Sequence, residues 1–131
     1  MKKIFMLEDD KDEHYLTKQT MEEIGIDASI QFFSKARDLF HHLPTADSPS
    51  LILIDNNIAP EGGIEVLKQL KANDLYKTIP VVILSDNNLE RYSKEAYLHG
   101  ASSYIMKPLN MADTRKKIET FFKYWLEVAE V

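Results

Sequence analysis

The chain has 131 residues, 44% of them apolar and 28% charged, with 21 acidic against 16 basic side chains and a formal charge of −5. That length suits one domain with a core of its own, and the composition is that of a soluble globular protein rather than a disordered one. Without cysteine there is no disulfide, thiolate metal site or thiol nucleophile, and the acidic balance gives no electrostatic pull towards nucleic acid.

Lys2 and Lys3 precede an apolar run, but Glu8, Asp9 and Asp10 break it before a signal sequence of about 7 to 15 apolar residues is complete. The wholly apolar runs, such as residues 51–54 and 81–84, fall far short of the roughly 20 residues of a membrane span. The chain is therefore expected to be cytoplasmic, with no membrane and no direct nucleic-acid contact.

Residues 4–7 read as a first strand, followed by a helix over 11–24 with Leu16, Thr20, Met21 and Ile24 turned inward and Gly25 as its stop. A second strand follows near residues 29–33. Ser34 is the expected N-cap of a helix carrying Leu39, Phe40 and Leu43, and the loop over 44–50 is too short to separate two domains. A third strand, 51–54, delivers Asp55 into a loop that ends at Gly62 and Gly63, and a helix over 64–72 turns Leu67 and Leu70 inward. Pro80 opens a fourth strand over 81–84. Residues 85–88 form a polar junction in which Asp86 or Asn88 competes with Ser85 to cap a helix carrying Leu89, Tyr92 and Ala96. Gly100 ends that helix, and a fifth strand over 103–106 stops at Lys107 and Pro108. A last helix from about Met111 packs Ile118, Phe121, Phe122, Trp125 and Leu126 along one apolar stripe.

Short apolar runs alternating with amphipathic stretches predict an α/β fold, a doubly wound five-stranded parallel sheet with five helices. Right-handed crossovers put its ligand crevice at the carboxyl ends of the strands. Glu8, Asp9 and Asp10 end the first strand, Asp55 the third, Ser85 the fourth and Lys107 the fifth. Carboxylates about 4 Å apart repel by about 4 kcal/mol at an effective dielectric near 20, so a cluster of them needs compensation. Lys107 supplies one positive charge. An all-oxygen shell without Cys or His suits magnesium or manganese for the rest. The chemistry suggested is phosphoryl transfer to Asp55, with the metal and Lys107 neutralising phosphoryl oxygens and the Ser85 hydroxyl donating to one of them.

These residues resemble the receiver domain of two-component response regulators, in particular the stand-alone, chemotaxis-type members, over the whole chain from Ile4 to the last helix. The acidic pair Glu8 and Asp9, the phosphoacceptor Asp55, the hydroxyl of Ser85 and Lys107 of a Lys-Pro dipeptide carry the likeness. Ala96, Gly100, Ala101 and Tyr104 look like the family's segment before that lysine. The resemblance implies the sheet order 2-1-3-4-5, a single receiver domain over 1–131 with no output domain, and a magnesium or manganese ion held by Asp9, Asp55 and the backbone carbonyl of Asn57, with Glu8 acting through water. It implies that Tyr104 turns inward when Ser85 engages the phosphoryl group, and that the donor is a phosphohistidine on a sensor histidine kinase or histidine phosphotransfer protein. An Ile-rich active-site loop and an aromatic C-terminal helix are similar to the small regulators paired with bacterial phytochromes. The family's usual Pro four residues after the phosphoacceptor is replaced by Ala59, with Pro60 one position later, and Ser85 stands for the commoner Thr.

An acidic run is ordinarily a solvated surface, so Asp10, Asp12 and Glu13 are expected to be first-turn acids favoured by the helix dipole. Tyr104 by its residue type alone is a core or edge aromatic. His14, His41, His42 and His99 are too scattered for a metal site. The last helix carries Tyr124 besides Phe121 and Phe122, more than one narrow face buries, which suggests self-association. The reading is thus a binding module without an external substrate, in which phosphorylated Asp55 rearranges residues 85–92. The face of helix four, strand five and helix five then gains or loses an unknown downstream protein or a second copy. Two alternatives stand beside it. One is an aspartyl-nucleophile phosphatase of haloacid dehalogenase type, whose second Asp is replaced here by Asn57. The other is a degenerate receiver acting as an adaptor without phosphate.

Overall fold

The computed structural model describes residues 2–45, 47–86, 89–107 and 111–129; the predicted roles of Asn88 and Pro108 lie outside them. Strands β1 (Lys2–Leu7), β2 (Ala28–Phe33), β3 (Leu51–Asp55), β4 (Val81–Ser85) and β5 (Ser103–Met106) form one parallel sheet in the order β2-β1-β3-β4-β5. Helices α1 (Lys11–Ile24), α2 (Ala36–His42), α3 (Gly63–Ala72), α4 (Glu90–Leu98) and α5 (Met111–Lys123) alternate with them. The predicted fold class and sheet order are those observed.

The period of two along each strand sorts the side chains into two cores. Phe5, Leu7, Ile52, Ile54, Val81 and Ile83 face one side, where Leu39 of α2, Leu67 and Leu70 of α3 and Ala96 of α4 cover them. Ile4, Met6, Leu51, Leu53 and Val82 face the other, under Met21 of α1 and Phe122 of α5. Burial on both sides is why β1, β3 and β4 read as continuous apolar runs.

The helix boundaries show where local chemistry differs from expectation. Gly25 does end α1, in the left-handed conformation at φ 71. The N-cap of α2 is Lys35, not Ser34, and no side chain caps the helix. Leu43 falls in a 3₁₀ turn, Leu43–Thr45. The N-cap of α4 is Leu89, again without a side-chain bond, so neither Ser85 nor Asp86 has the predicted capping role. Both helices are held by the apolar residues they bury, and tertiary packing outweighs a cap of about 1 kcal/mol. Helix α5 runs on into one π-helical turn, Tyr124–Val128, which leaves Tyr124 exposed and packs Trp125 and Leu126 against the second core.

Candidate functional site

Parallel register sets the site. Leu7 pairs with Ile54, Asp55 with Leu84 and Ser85 with Met106. The residues just past the apolar runs, Glu8, Asp55, Ser85 and Lys107, therefore stand along one edge of the sheet. Carboxylate oxygens of Glu8, Asp9 and Asp55 all lie within 4.8 Å of one another. Glu8 is 1% and Asp55 5% exposed, whereas Asp9 is open to solvent.

Backbone groups hold these acids in place. The Glu8 N–H donates to the Phe33 carbonyl at 2.9 Å, and the Asp10 N–H donates to Glu8 Oε1 at 3.0 Å. Asp55 Oδ1 accepts the Asn57 N–H at 3.1 Å, and the Asn56 N–H donates to the Leu84 carbonyl at 2.8 Å. The Asn57 side chain donates to Asp86 Oδ1 at 3.0 Å. The Ala59-Pro60 peptide is cis, and Gly63 still begins α3 behind the loop. A methyl group on Gly63 would stand 2.8 Å from Asn56 Cα and 3.0 Å from the Asp55 carbonyl oxygen, so the helix start and the Asp55 loop touch backbone to backbone.

Lys107 Nζ reaches into this cluster, 3.3 Å from Glu8 Oε2 and 3.5 Å from Asp55 Oδ2. It is nearest to a residue that the sequence reading left on the surface. Both oxygens of Glu13 accept from it, at 3.1 and 2.9 Å. The expectation that Glu13 is an ordinary first-turn acid is therefore corrected. Asp10 is corrected too: it is the N-cap of α1, accepting the Asp12 N–H at 2.9 Å. Asp12 remains exposed in the first turn. His14, expected only to stand outside any metal site, places Nε2 2.5 Å from the Glu8 carbonyl oxygen and stacks on Phe32 at 4.2 Å.

The charges in the cluster divide unevenly. Burial pushes the Glu8 carboxyl up to about 8; its hydrogen bond with Glu13 adds to this, while the Asp10 N–H and the Lys107 charge oppose it. Burial alone would lower the Lys107 ammonium. The Glu13 hydrogen bond and the charges of Glu8, Asp55 and Glu13 outweigh burial and hold it well above its ordinary range. Three clustered carboxylates, two of them buried, with all-oxygen donors and no sulfur or imidazole, fit a hard divalent cation.

Ser85 is fully buried at the end of β4, and its carbonyl accepts the Lys107 N–H at 2.7 Å. Tyr104 is partly buried against the first core, and its N–H donates to the Tyr97 hydroxyl at 3.1 Å. Every predicted site residue is thus at or beside the carboxyl edge except Tyr104, which lies one face away in β5.

Residues 4–119 match the response regulator receiver domain. The chain belongs to that family. It is a receiver domain of two-component response regulators, and the phosphatase alternative is not favoured: Asn57 holds Asp86 where such an enzyme needs an acid. Receivers are signalling modules rather than enzymes with an external substrate.

Among its relatives are the response regulator Rcp1 of Synechocystis, 28% identical over 96% of this chain and 90% of Rcp1, and a probable methanogenesis regulatory protein, FilR2, of Methanothrix harundinacea, 27% identical over 94% and 83%. The Mn(2+)-bound form of Rcp1 superposes with a TM-score of 0.93 at 27% identity, covering 100% of this chain and 99% of that one. The phosphorylated cyanobacterial phytochrome response regulator RcpA gives 0.91 at 27%, covering 98% and 96%. The expected likeness to small phytochrome-associated regulators is borne out. No helix among the described residues is long and apolar enough to cross a membrane.

Proposed function

We propose that Asp55 is the phosphoacceptor of this receiver and that the cation is magnesium or manganese, held by Asp9, Asp55 and the Asn57 carbonyl with Glu8 acting through water. The observation that carries the reading is the convergence of Lys107 Nζ, 3.5 Å from Asp55 Oδ2, with three carboxylates whose oxygens lie within 4.8 Å of one another. When bound, the cation supplies positive charge beside the phosphoryl oxygens.

The chain's own groups do the rest. An Asp55 oxygen attacks the phosphorus of a phosphohistidine on a sensor kinase or phosphotransfer protein; the P–N bond breaks, and the imidazole keeps its electron pair and takes up a proton. Lys107 neutralises charge on the equatorial oxygens, and the Ser85 hydroxyl donates to one of them. Hydrolysis of the acyl phosphate resets the site. The chain therefore catalyses only its own phosphorylation and dephosphorylation.

Phosphorylation replaces one negative charge on Asp55 by about −1.5 to −2. The Ser85 hydroxyl moves to the phosphoryl group and Tyr104 turns inward behind it. That movement alters the face of α4, β5 and α5, where Tyr97 already ties α4 to β5 through the Tyr104 N–H. This face takes the downstream protein or a second copy, and the whole chain works as one receiver in the cytoplasm.

The test incubates wild type and Asp55→Ala with acetyl phosphate and magnesium and follows intact mass. The expected result is a gain of one phosphoryl group in wild type alone. A gain in both proteins, or in neither, overturns the assignment, and a gain in neither favours the adaptor that works without phosphate.

A further inference from the structure

Four carboxylate oxygens compete for one ammonium that has three protons to donate. Glu13 takes the largest share, with both oxygens on Lys107 Nζ at 3.1 and 2.9 Å, while Asp55 Oδ2 is the most distant at 3.5 Å. The pairing joins the first turn of α1 to the residue after β5, across 94 positions of the chain. Glu13 is also the most exposed of the three acids: its side chain is 35% exposed, against 1% for Glu8 and 8% for Asp55. Releasing an ammonium partner costs least where water replaces it, so a phosphoryl group arriving on Asp55 draws Lys107 away from Glu13 rather than from the buried pair.

We propose that Glu13 is a brake on the phosphoryl site: its two-oxygen grip on Lys107 must loosen before the ammonium can engage a phosphoryl group on Asp55. Glu13 acts through Lys107 and is a positioning residue. The inference rests on the reading of Asp55 as phosphoacceptor. With acetyl phosphate as donor, an Asp55 oxygen forms the new bond to phosphorus and acetate leaves with the electrons of the old P–O bond, with no net proton taken up. In the loose transition state the charge of the transferring group is spread over its three equatorial oxygens, which come within reach of Lys107 only as the group lines up with Asp55. A Lys107 freed from Glu13 stabilises the transition state more than the ground state, which raises the rate.

Glu13→Gln keeps the size of the side chain and removes its charge. At saturating magnesium the variant should be phosphorylated by acetyl phosphate about fivefold faster than wild type, the scale of a partly exposed ion pair. Saturating magnesium keeps the comparison independent of cation affinity, which the loss of the Glu13 hydrogen bond to Glu8 should itself shift. In a Lys107→Met background, followed to long times, the substitution should change nothing. A rate equal to or below wild type overturns the brake. So does an acceleration that persists without Lys107, since that shows a field effect rather than competition for the ammonium. If wild type is not phosphorylated, or Asp55→Ala still is, the phosphoacceptor reading itself fails and takes the brake with it. A wild type phosphorylated on Asp55 beside an unaccelerated Glu13→Gln sinks the brake alone.

Discussion

Replacing Glu8 by glutamine keeps the volume of the side chain and removes a carboxyl that burial holds protonated near neutral pH. Glu8 is 1% exposed, and burial pushes it up to about 8 from an ordinary 4.5. The sign of its contribution is opposite to that of a salt-bridged acid. Between those values the unfolded chain has given up a proton that the folded chain keeps, so the unfolded state binds fewer protons and stability falls as pH rises. The contribution is fully present below about pH 4.5 and is lost as pH rises through about 8. In the middle of that window one proton gives a slope of at most about 1.4 kcal/mol per pH unit, which is large beside a total stability of about 5 to 15 kcal/mol. Lys107 adds nothing to the slope there, because it stays charged in both states.

Urea unfolding without divalent cation at pH 5, 6.5 and 8 reads this directly. Other carboxylates contribute slopes of their own, so the quantity that decides is the difference between wild type and Glu8→Gln. Wild type should lose stability relative to the variant at each step, and saturating magnesium should shrink that loss by compensating the ionised carboxylate. A difference that is flat, or that favours wild type more strongly at pH 8 than at pH 5, refutes the buried, protonated Glu8.

Three further outcomes are expected. Gly63→Ala places a methyl 2.8 Å from Asn56 Cα, so it should cost about 1 to 3 kcal/mol in urea unfolding and slow phosphorylation by displacing the Asp55 loop. The Thr20 hydroxyl is buried without a partner among the described residues, so Thr20→Val should raise the urea midpoint, by about 1 kcal/mol of stability, with the phosphorylation rate unchanged. Magnesium at ten times its dissociation constant should stabilise wild type by about 1.4 kcal/mol at pH 8, and Asp9→Asn should lose most of that gain in a thermal melt while folding normally.

Strands β1, β3 and β4 were legible because they are buried on both sides, so a four-residue apolar run needs no helix-like period to be recognised. Once they were placed, parallel pairing forced their polar neighbours onto one edge, and Glu8, Asp55, Ser85 and Lys107 followed from that. The caps of α2 and α4 were not legible, since a shift of one residue decides whether a hydroxyl or carboxylate meets an N–H, and packing of Leu39 and Ala96 sets that shift. Glu13 was hidden for a different reason. Residues 8–13 read as one run of acids, yet Asp10 turns to cap α1 and Asp12 stays in water. Half-buried Glu13 is brought to Lys107 only by the crossovers that carry the chain through four more strands. The run therefore combines acids of distinct kinds: a buried proton carrier in Glu8, an exposed member of the acidic cluster in Asp9, a helix cap in Asp10, a solvated charge in Asp12 and a competitor for Lys107 in Glu13. Their spacing separates Asp10 from Asp12 by local hydrogen bonding, which sequence can anticipate, but it takes the position of β5 to tell Glu13 from Asp12.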